Sequence, residues 1–175
     1  RHLRDRLRDR LAWLGFGTLG NGLWISPHDV EKEVRALRQQ LGIQLHLECF
    51  RAQRVGNQEP QALVDRCWDL PGVNAHYVEF TERWRTELDR CETGVSSGDV
   101  TAEECFMLRF DLMHEFRAFP LEDPYLPRTL LPEQWHGRPA TQLFHALHDV
   151  LEGPADQYVD GILAAAPSVP AAAER

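Results

Sequence analysis

A chain of 175 residues with 43% apolar and 26% charged side chains is too apolar for intrinsic disorder and long enough for one good core or two small ones. The first 92 residues balance 14 basic against 14 acidic side chains, while the remainder holds 5 and 13. The net charge of −8 therefore lies wholly in the second half, which disfavours non-specific binding of a polyanion there.

The longest uncharged run, Leu11 to His28, contains Gly15, Gly17, Gly20, Asn21 and Gly22, a poor composition for a bilayer-spanning helix, so no membrane partner is expected. Cys49, Cys67, Cys91 and Cys105 are widely spaced without a C-x-x-C pair. Reduced thiols in a cytoplasm fit this usage, each acting as a small apolar residue. The chain opens on Arg1 without a signal-peptide pattern and reads as the continuation of a longer one.

Leu3, Leu7, Leu11 and Leu14 recur at helical spacing and Gly15 stops the helix. Arg4, Arg6, Arg8 and Arg10, broken by Asp5 and Asp9, read as its solvated face. Phe16 to Ser26 centres Gly and Asn between short apolar flanks, the signal for a tight hairpin. Ser26-Pro27-His28-Asp29 predicts a helix start, with Val30, Val34, Leu37 and Leu41 on one face and Gly42 as its close. Ile43, Leu45, Leu47 and Cys49 alternate with polar residues, which predicts a half-buried strand over Ile43–Arg51. Helix, hairpin, helix, strand is a ferredoxin-like βαββαβ unit lacking its first strand, so that strand is expected upstream of Arg1. Without it the Ile43–Arg51 strand has no covalently supplied neighbour.

After Asn57 the pattern turns helical. Glu59-Pro60 opens a short helix that Pro71-Gly72 would end, and Tyr77, Trp84, Leu88 and Cys91 mark a longer one followed by a loop over Gly94–Asp99. Thr101-Ala102-Glu103-Glu104 is a capping box. The helix behind it places Cys105, Leu108, Leu112, Phe116 and Phe119 on one face, widened by Phe106, Phe110 and Met113, and is expected to be central. Pro120–Pro132 holds four prolines in thirteen residues and predicts a stiff strap without helix or interior strand. Ala140, Leu143, Phe144, Leu147, Val150 and Leu151 give a clean helical stripe that Gly153-Pro154 would end. A last helix uses Tyr158, Val159, Ile162 and Leu163, with a frayed tail from Ala164. The fold class is α+β: a ferredoxin-like unit over residues 1–56, an all-helical domain over 57–165 and a flexible tail over 166–175.

His114-Glu115 begins a zinc-protease pattern, but position 118 is Ala, so the motif is absent. His114, Glu115 and Arg117 then read as hydrogen-bonding groups tying the helix to the proline strap, in preference to direct ligand contacts. His145 and His148, with Asp149 and Glu152 nearby, form a weak metal pair better read as exposed histidines. No Ser-His-Asp order stands out, and the glycines at 15, 17, 20 and 22 fit neither a dinucleotide fingerprint nor a P-loop. Trp135 is either a stacking platform or, more commonly, a packing anchor. No cofactor and no metal are expected.

Three stretches together resemble the PaaX-like transcriptional regulators, the phenylacetate-degradation repressor family. They are Leu11-Ala12-Trp13-Leu14-Gly15-Phe16-Gly17 with Gly22-Leu23-Trp24-Ile25-Ser26-Pro27; His114-Glu115-Phe116-Arg117 with Phe119-Pro120 and Asp123-Pro124; and Leu126-Pro127 with Leu130-Leu131-Pro132-Glu133, Trp135 and Gly137. The likeness runs to about Val159. Glu115, Asp123, Pro124, Pro132, Gly137, Trp24 and Pro27 are its structural signature.

The resemblance implies a cytoplasmic, homodimeric repressor whose operator-binding winged helix lies upstream of this chain, released from DNA by an aryl-CoA thioester such as phenylacetyl-CoA. An effector acts this way only by binding one conformation better than the DNA-competent one. An apolar slot for the acyl group and arginines for the phosphates are then expected. Arg109, Arg117, Arg128 and Arg138, with His114 and Trp135, are the candidate ligand-binding residues, and no catalytic residue is assigned. The dimer interface is expected at the exposed sheet edge of the ferredoxin-like unit. Phe116 stands where the family often has tyrosine, and His145 and His148 lie outside the shared pattern, so the effector is open. The alternatives are a metal-dependent nuclease or thioester hydrolase on the same scaffold, and a purely structural dimerisation module. A nuclease of the CRISPR-adaptation type needs an acid at the end of the first strand, which this chain lacks.

Overall fold

The computed structural model describes residues 2–43, 46–57 and 59–165. Seven α-helices and one two-stranded sheet are formed among them: α1 His2–Trp13, β1 Gly17–Gly20, β2 Leu23–Ile25, α2 Glu31–Leu41, α3 Pro60–Cys67, α4 Leu70–Ser97, α5 Ala102–Phe116, α6 Phe119–Glu122 and α7 Gly137–Ala165, with a 3-10 turn at Arg128–Leu130. The architecture is α+β and mostly helical. The chain divides into two compact units, residues 1–76 with 117–135 and residues 77–116 with 136–175.

In the first unit, α1 ends at Gly15, whose φ of +79° only glycine adopts without strain. The antiparallel β1–β2 hairpin turns at Asn21 and Gly22, with φ of +52° and +81°, the left-handed pair that a two-residue connection requires. Gly42 closes α2 at φ +65°. Its N–H bonds Gln39 O and that of Ile43 bonds Arg38 O, a Schellman arrangement. Leu11, Val34, Leu37 and Ile43 are buried.

Helix α2 begins at Glu31, four residues later than the Ser26-Pro27 signal predicts. Ser26 Oγ instead accepts the His28 N–H at 3.1 Å, closing a local turn, and Asp29 pairs with Arg51 at 2.9 Å. The hydroxyl and the acid are used outside the helix, and Val30 precedes it without a side-chain cap. The strand expected over Ile43–Arg51 is not formed at residues 46–51; Gln44 and Leu45 lie outside the described residues. A strand needs a neighbour to satisfy its backbone, and among the described residues the short hairpin pairs only with itself. Phe50 and Val55 consequently stand 85% and 95% exposed.

Pro71-Gly72 opens α4 rather than ending α3. Proline in a first turn removes an N–H that has no intrahelical partner, and Asp69 Oδ1 accepts the Gly72 N–H at 3.1 Å. The strap contains α6 and the 3-10 turn, because Pro120 also falls in a first helical turn.

The second unit is built from α5 lying along α7 together with α4 from Tyr77 onward. Trp84, Phe80, Leu112, Leu147, Leu151, Cys91 and Cys105 are its largest fully buried side chains. The Gly94–Asp99 loop is shorter than predicted: α4 continues to Ser97, because buried Gly94 leaves room for Val100 where a Cβ would stand. Gly98, at φ +82°, makes the turn. Helix α7 runs through Gly153-Pro154 as one helix. Its apolar stripe continues through Leu151 and Ala155, and packing along that stripe outweighs the roughly 3 kcal/mol that an interior proline costs. The predicted two helices are therefore one, and of the tail only Ala164 and Ala165 are described, both helical. Phe110 and Met113 do not widen the buried face of α5 but stand 60% and 49% exposed.

Candidate functional site

The first unit gathers much of the signature into one contact region. Gly15, Gly17, His28, Trp68 and the strap from Asp123 to Trp135 meet there. His28 Nε2 donates to Pro124 O at 3.0 Å across 96 residues of sequence, and Trp68 Nε1 donates to Gly15 O at 3.3 Å. A Cβ on Gly15 would lie 2.8 Å from Pro124 O, and one on Gly17 would lie 2.6 Å from the Trp68 ring and 2.7 Å from Cys67. The strap carbonyl and the indole thus occupy space that only glycine leaves free.

Asp123 Oδ1 accepts the Tyr125 N–H at 2.7 Å, a local turn that supports Tyr125 at φ +52°. Burial, with the Asp123 carboxylate beside it, pushes the Tyr125 hydroxyl above the ordinary tyrosine range. The turn directs buried Leu126 into a cluster with Val64 and Leu70, against which Trp68, Leu130, Leu131 and Trp135 pack. Trp135 is therefore a packing anchor in this structure. Asn74 Nδ2 donates to Gln134 O at 3.0 Å and His76 Nδ1 to Glu122 at 2.8 Å, fastening both ends of the strap to the start of α4. Trp24 is half-buried, while Pro27 is exposed.

In the second unit Glu115 Oε2 accepts from Arg83 Nη1 at 2.9 Å and from Trp84 Nε1 at 3.1 Å. Those bonds join α5 to α4, whereas the sequence reading directed them to the strap. A carboxylate on a helix reaches whichever donors its own packing partner presents, and the buried Trp84 indole must be satisfied. His114 lies exposed and stacks on Phe110 at 6.2 Å. Phe116 sits against Phe144 at 4.1 Å and Phe80 at 5.5 Å.

Arg109 is held between α5 and α7. It donates to Asp156 at 2.7 Å and to His148 Nε2 at 3.3 Å and lies 3.6 Å from Glu152. His148 is thereby an internal acceptor rather than the exposed residue that the sequence suggests. No group of three or more metal-ligating side chains occurs among the described residues.

Of the six candidate ligand residues, Arg117, Arg128 and Trp135 belong to the first unit and His114, Arg109 and Arg138 to the second. Arg117, Arg128 and Arg138 are exposed. Recesses in the first unit include a groove of about 350 Å³ at Asp65–Asp69 and Pro71, and one of about 210 Å³ between α1 and α2. Neither is lined by any of the six. His28, Trp68 and Arg83 went unnoticed as anchors in the sequence. Nothing in local pattern marks a side chain whose partner is many residues away, although a tryptophan beside a helix end was an available signal for Trp68.

The first unit holds a helix, a hairpin and a proline strap that closes on Gly15 and His28, the second is helical, and together they define an α+β scaffold. Residues 1–64 match the family model of the PaaX protein central Cas2-like domain, and residues 68–161 match that of the PaaX-like protein C-terminal domain. The chain belongs to the PaaX-like family. It is similar to the transcriptional repressor PaaX of Escherichia coli strain K12, 32% identical over 140 residues that cover 78% of this chain and 44% of the relative. The chain thus spans less than half the length of that relative. No described helix is long and apolar enough to cross a membrane.

Proposed function

We propose that this chain is the effector-binding and dimerisation portion of a cytoplasmic transcriptional repressor of phenylacetate catabolism, responsive to an aryl-CoA thioester such as phenylacetyl-CoA. The observation that carries the reading is the paired match of residues 1–64 and 68–161 to the two PaaX domains, together with the likeness to a repressor. Operator binding belongs to an upstream winged helix in the intact protein. Residues 1–56 serve as the middle domain, 57–165 as the effector domain and 166–175 as a tail.

The reading contains no bond-making step. Glu115, read from sequence as a structural hydrogen-bonding group, accepts from Arg83 and the Trp84 indole. Arg117, Arg128 and Arg138 are exposed and suit the phosphates of a CoA thioester. Arg109 is already engaged by Asp156 and Glu152 and positions α7 rather than meeting ligand.

Titration with phenylacetyl-CoA tests the proposal. A ligand at about a hundred times its Kd stabilises by about 2.7 kcal/mol, so a rise in Tm of several degrees is expected, with no loss of thioester. Absence of heat and of a Tm shift, or turnover of the thioester, would reject it.

A further inference from the structure

Helices α1 and α2 of the first unit flank the groove of about 210 Å³. Arg10, Trp13 and Leu14 form one wall, and Glu33, Ala36, Leu37 and Gln40 form the other. Both sets follow the three- and four-residue spacing that keeps side chains on one side of a helix. The middle of the groove is apolar: Leu37 is buried, Leu14 half-buried, and the Trp13 side chain 54% exposed. Ala36, the smallest residue of the α2 wall, leaves the space open.

Two opposite charges face this space without meeting. Arg10 and Glu33 are both exposed, and among the described residues neither side chain holds an ion pair or a hydrogen bond. Their neighbours behave differently, since Arg8 pairs with Asp9 at 3.4 Å and Arg35 with Glu31 at 2.9 Å. The groove therefore offers a guanidinium fork for an anion, a carboxylate for a cation and an apolar body between the two walls. We propose that it binds a free α-amino acid with a large apolar side chain. The ligand carboxylate meets Arg10, its ammonium meets Glu33, and its side chain lies along Trp13 and Leu37, with the Gln40 amide as a further donor and acceptor.

Charge decides the class of ligand. A carboxylate alone is held by Arg10 and repelled by Glu33, and an amine alone meets the reverse. A residue inside a peptide carries neither charge at its α-carbon. Only a molecule with both charges beside one apolar group satisfies every wall. Because Arg10 and Glu33 are exposed, each pairing contributes little, and the dissociation constant is on the order of 1 mM. The inference is independent of the repressor reading, and none of the residues suggested there for the thioester phosphates lines this groove.

Titration of the full chain with L-phenylalanine, followed by amide proton–nitrogen correlation spectra to about 10 mM ligand, tests the proposal. Saturable shifts are expected at the α1 and α2 residues that line the groove. Phenylacetate and phenethylamine, which each keep one of the two charges, should bind about ten-fold more weakly. Arg10→Gln and Glu33→Gln should each weaken L-phenylalanine binding about five-fold, and Ala36→Leu, which fills the groove, should remove it. All three positions are exposed, so the variants keep the fold, and an unchanged spectrum away from α1 and α2 verifies this. Absence of saturable shifts, shifts confined to other elements, phenylacetate binding as tightly as the amino acid, or binding that survives Ala36→Leu would each overturn the inference.

Discussion

The Trp84 indole, 1% exposed, donates to a Glu115 carboxylate oxygen 3.1 Å away that also accepts from Arg83 at 2.9 Å. The two donors are not equivalent. The Arg83 side chain is 62% exposed, so its ion pair adds at most a few tenths of a kcal/mol. A buried indole N–H without an acceptor costs about 1–3 kcal/mol. Glu115→Gln, which keeps an amide oxygen for the indole, is expected to lower unfolding free energy by under about 1 kcal/mol, and Glu115→Ala by about 2. Equal urea midpoints for the two variants would show that the indole bond is not what matters.

Gly15 and Gly17 separate two reasons for conserving space. Gly15 has both positive φ and the Pro124 carbonyl within 2.8 Å of a would-be Cβ, whereas Gly22, at φ +81°, has nothing within 4 Å. Gly22→Ala therefore carries only the backbone penalty of about 1–2 kcal/mol. Gly15→Ala adds overpacking against the strap, for a total of about 3 kcal/mol. Gly17→Ala, without positive φ, is expected near 2 kcal/mol from the Trp68 and Cys67 contacts alone. Chemical denaturation that ranks Gly22→Ala as the worst of the three would refute the close approach of the strap.

Glu104 makes stability pH-dependent at the start of α5. Its carboxylate accepts the Thr101 N–H at 2.8 Å and the Thr101 hydroxyl at 3.0 Å, and the Thr101 Oγ receives the Glu104 N–H at 3.2 Å. The backbone bond from Thr101, then the hydroxyl bond, hold the Glu104 carboxyl below the usual carboxylate range. A lowered acid contributes stability above its unfolded-state value, about 4.3, and loses it as pH falls through the folded value. Glu104→Gln should therefore flatten the melting-temperature profile below about pH 4.3 and leave its slope above pH 6 unchanged. Thr101→Ala should cost about 1 kcal/mol at neutral pH.

The thiols divide by burial. Burial raises Cys91 and Cys105 above the ordinary thiol range, and each is 0% exposed, while Cys49 is exposed. Burial also raises Cys67, opposed by the neighbouring Arg66. A colourless-to-yellow disulfide reagent at pH 8 should titrate one thiol in the folded chain within minutes and the other three only on unfolding. Cys49→Ser should remove the fast phase and leave the slow one.

The elements that local chemistry determines were legible in the sequence. Gly42 as the end of α2, the Asn21-Gly22 turn and the Thr101–Glu104 box each depend on residues within a few positions of one another. Family membership was legible for a related reason, since glycines, prolines and tryptophans at fixed offsets survive as a pattern even when their contacts are unknown. The contacts were not. His28 meets Pro124 and Glu115 meets Trp84 through packing that no window of sequence contains. Over residues 46–51 the alternation forms no strand, for the complementary reason: period two prepares a strand, but only a neighbour's backbone makes one.

Prolines misled where burial overrode propensity, and Gly153-Pro154 offers the clearest test. The pair lies inside α7 between buried Leu151 and Ala155, and nothing stands within 4 Å of a Cβ at Gly153. If packing along α7 carries the helix through this point, both residues oppose a structure that forms despite them. Gly153→Ala should then stabilise by about 0.5–1 kcal/mol. Pro154→Ala should stabilise by about 1–2 kcal/mol, because restoring a hydrogen bond and removing a ring clash exceed the entropy that proline takes from the unfolded chain. Were the helix to end at Gly153, alanine there would gain nothing and Pro154→Ala would destabilise by releasing a fixed turn. The sign of the change in urea midpoint for Pro154→Ala decides between the two, and far-UV circular dichroism should show helix content preserved or slightly raised.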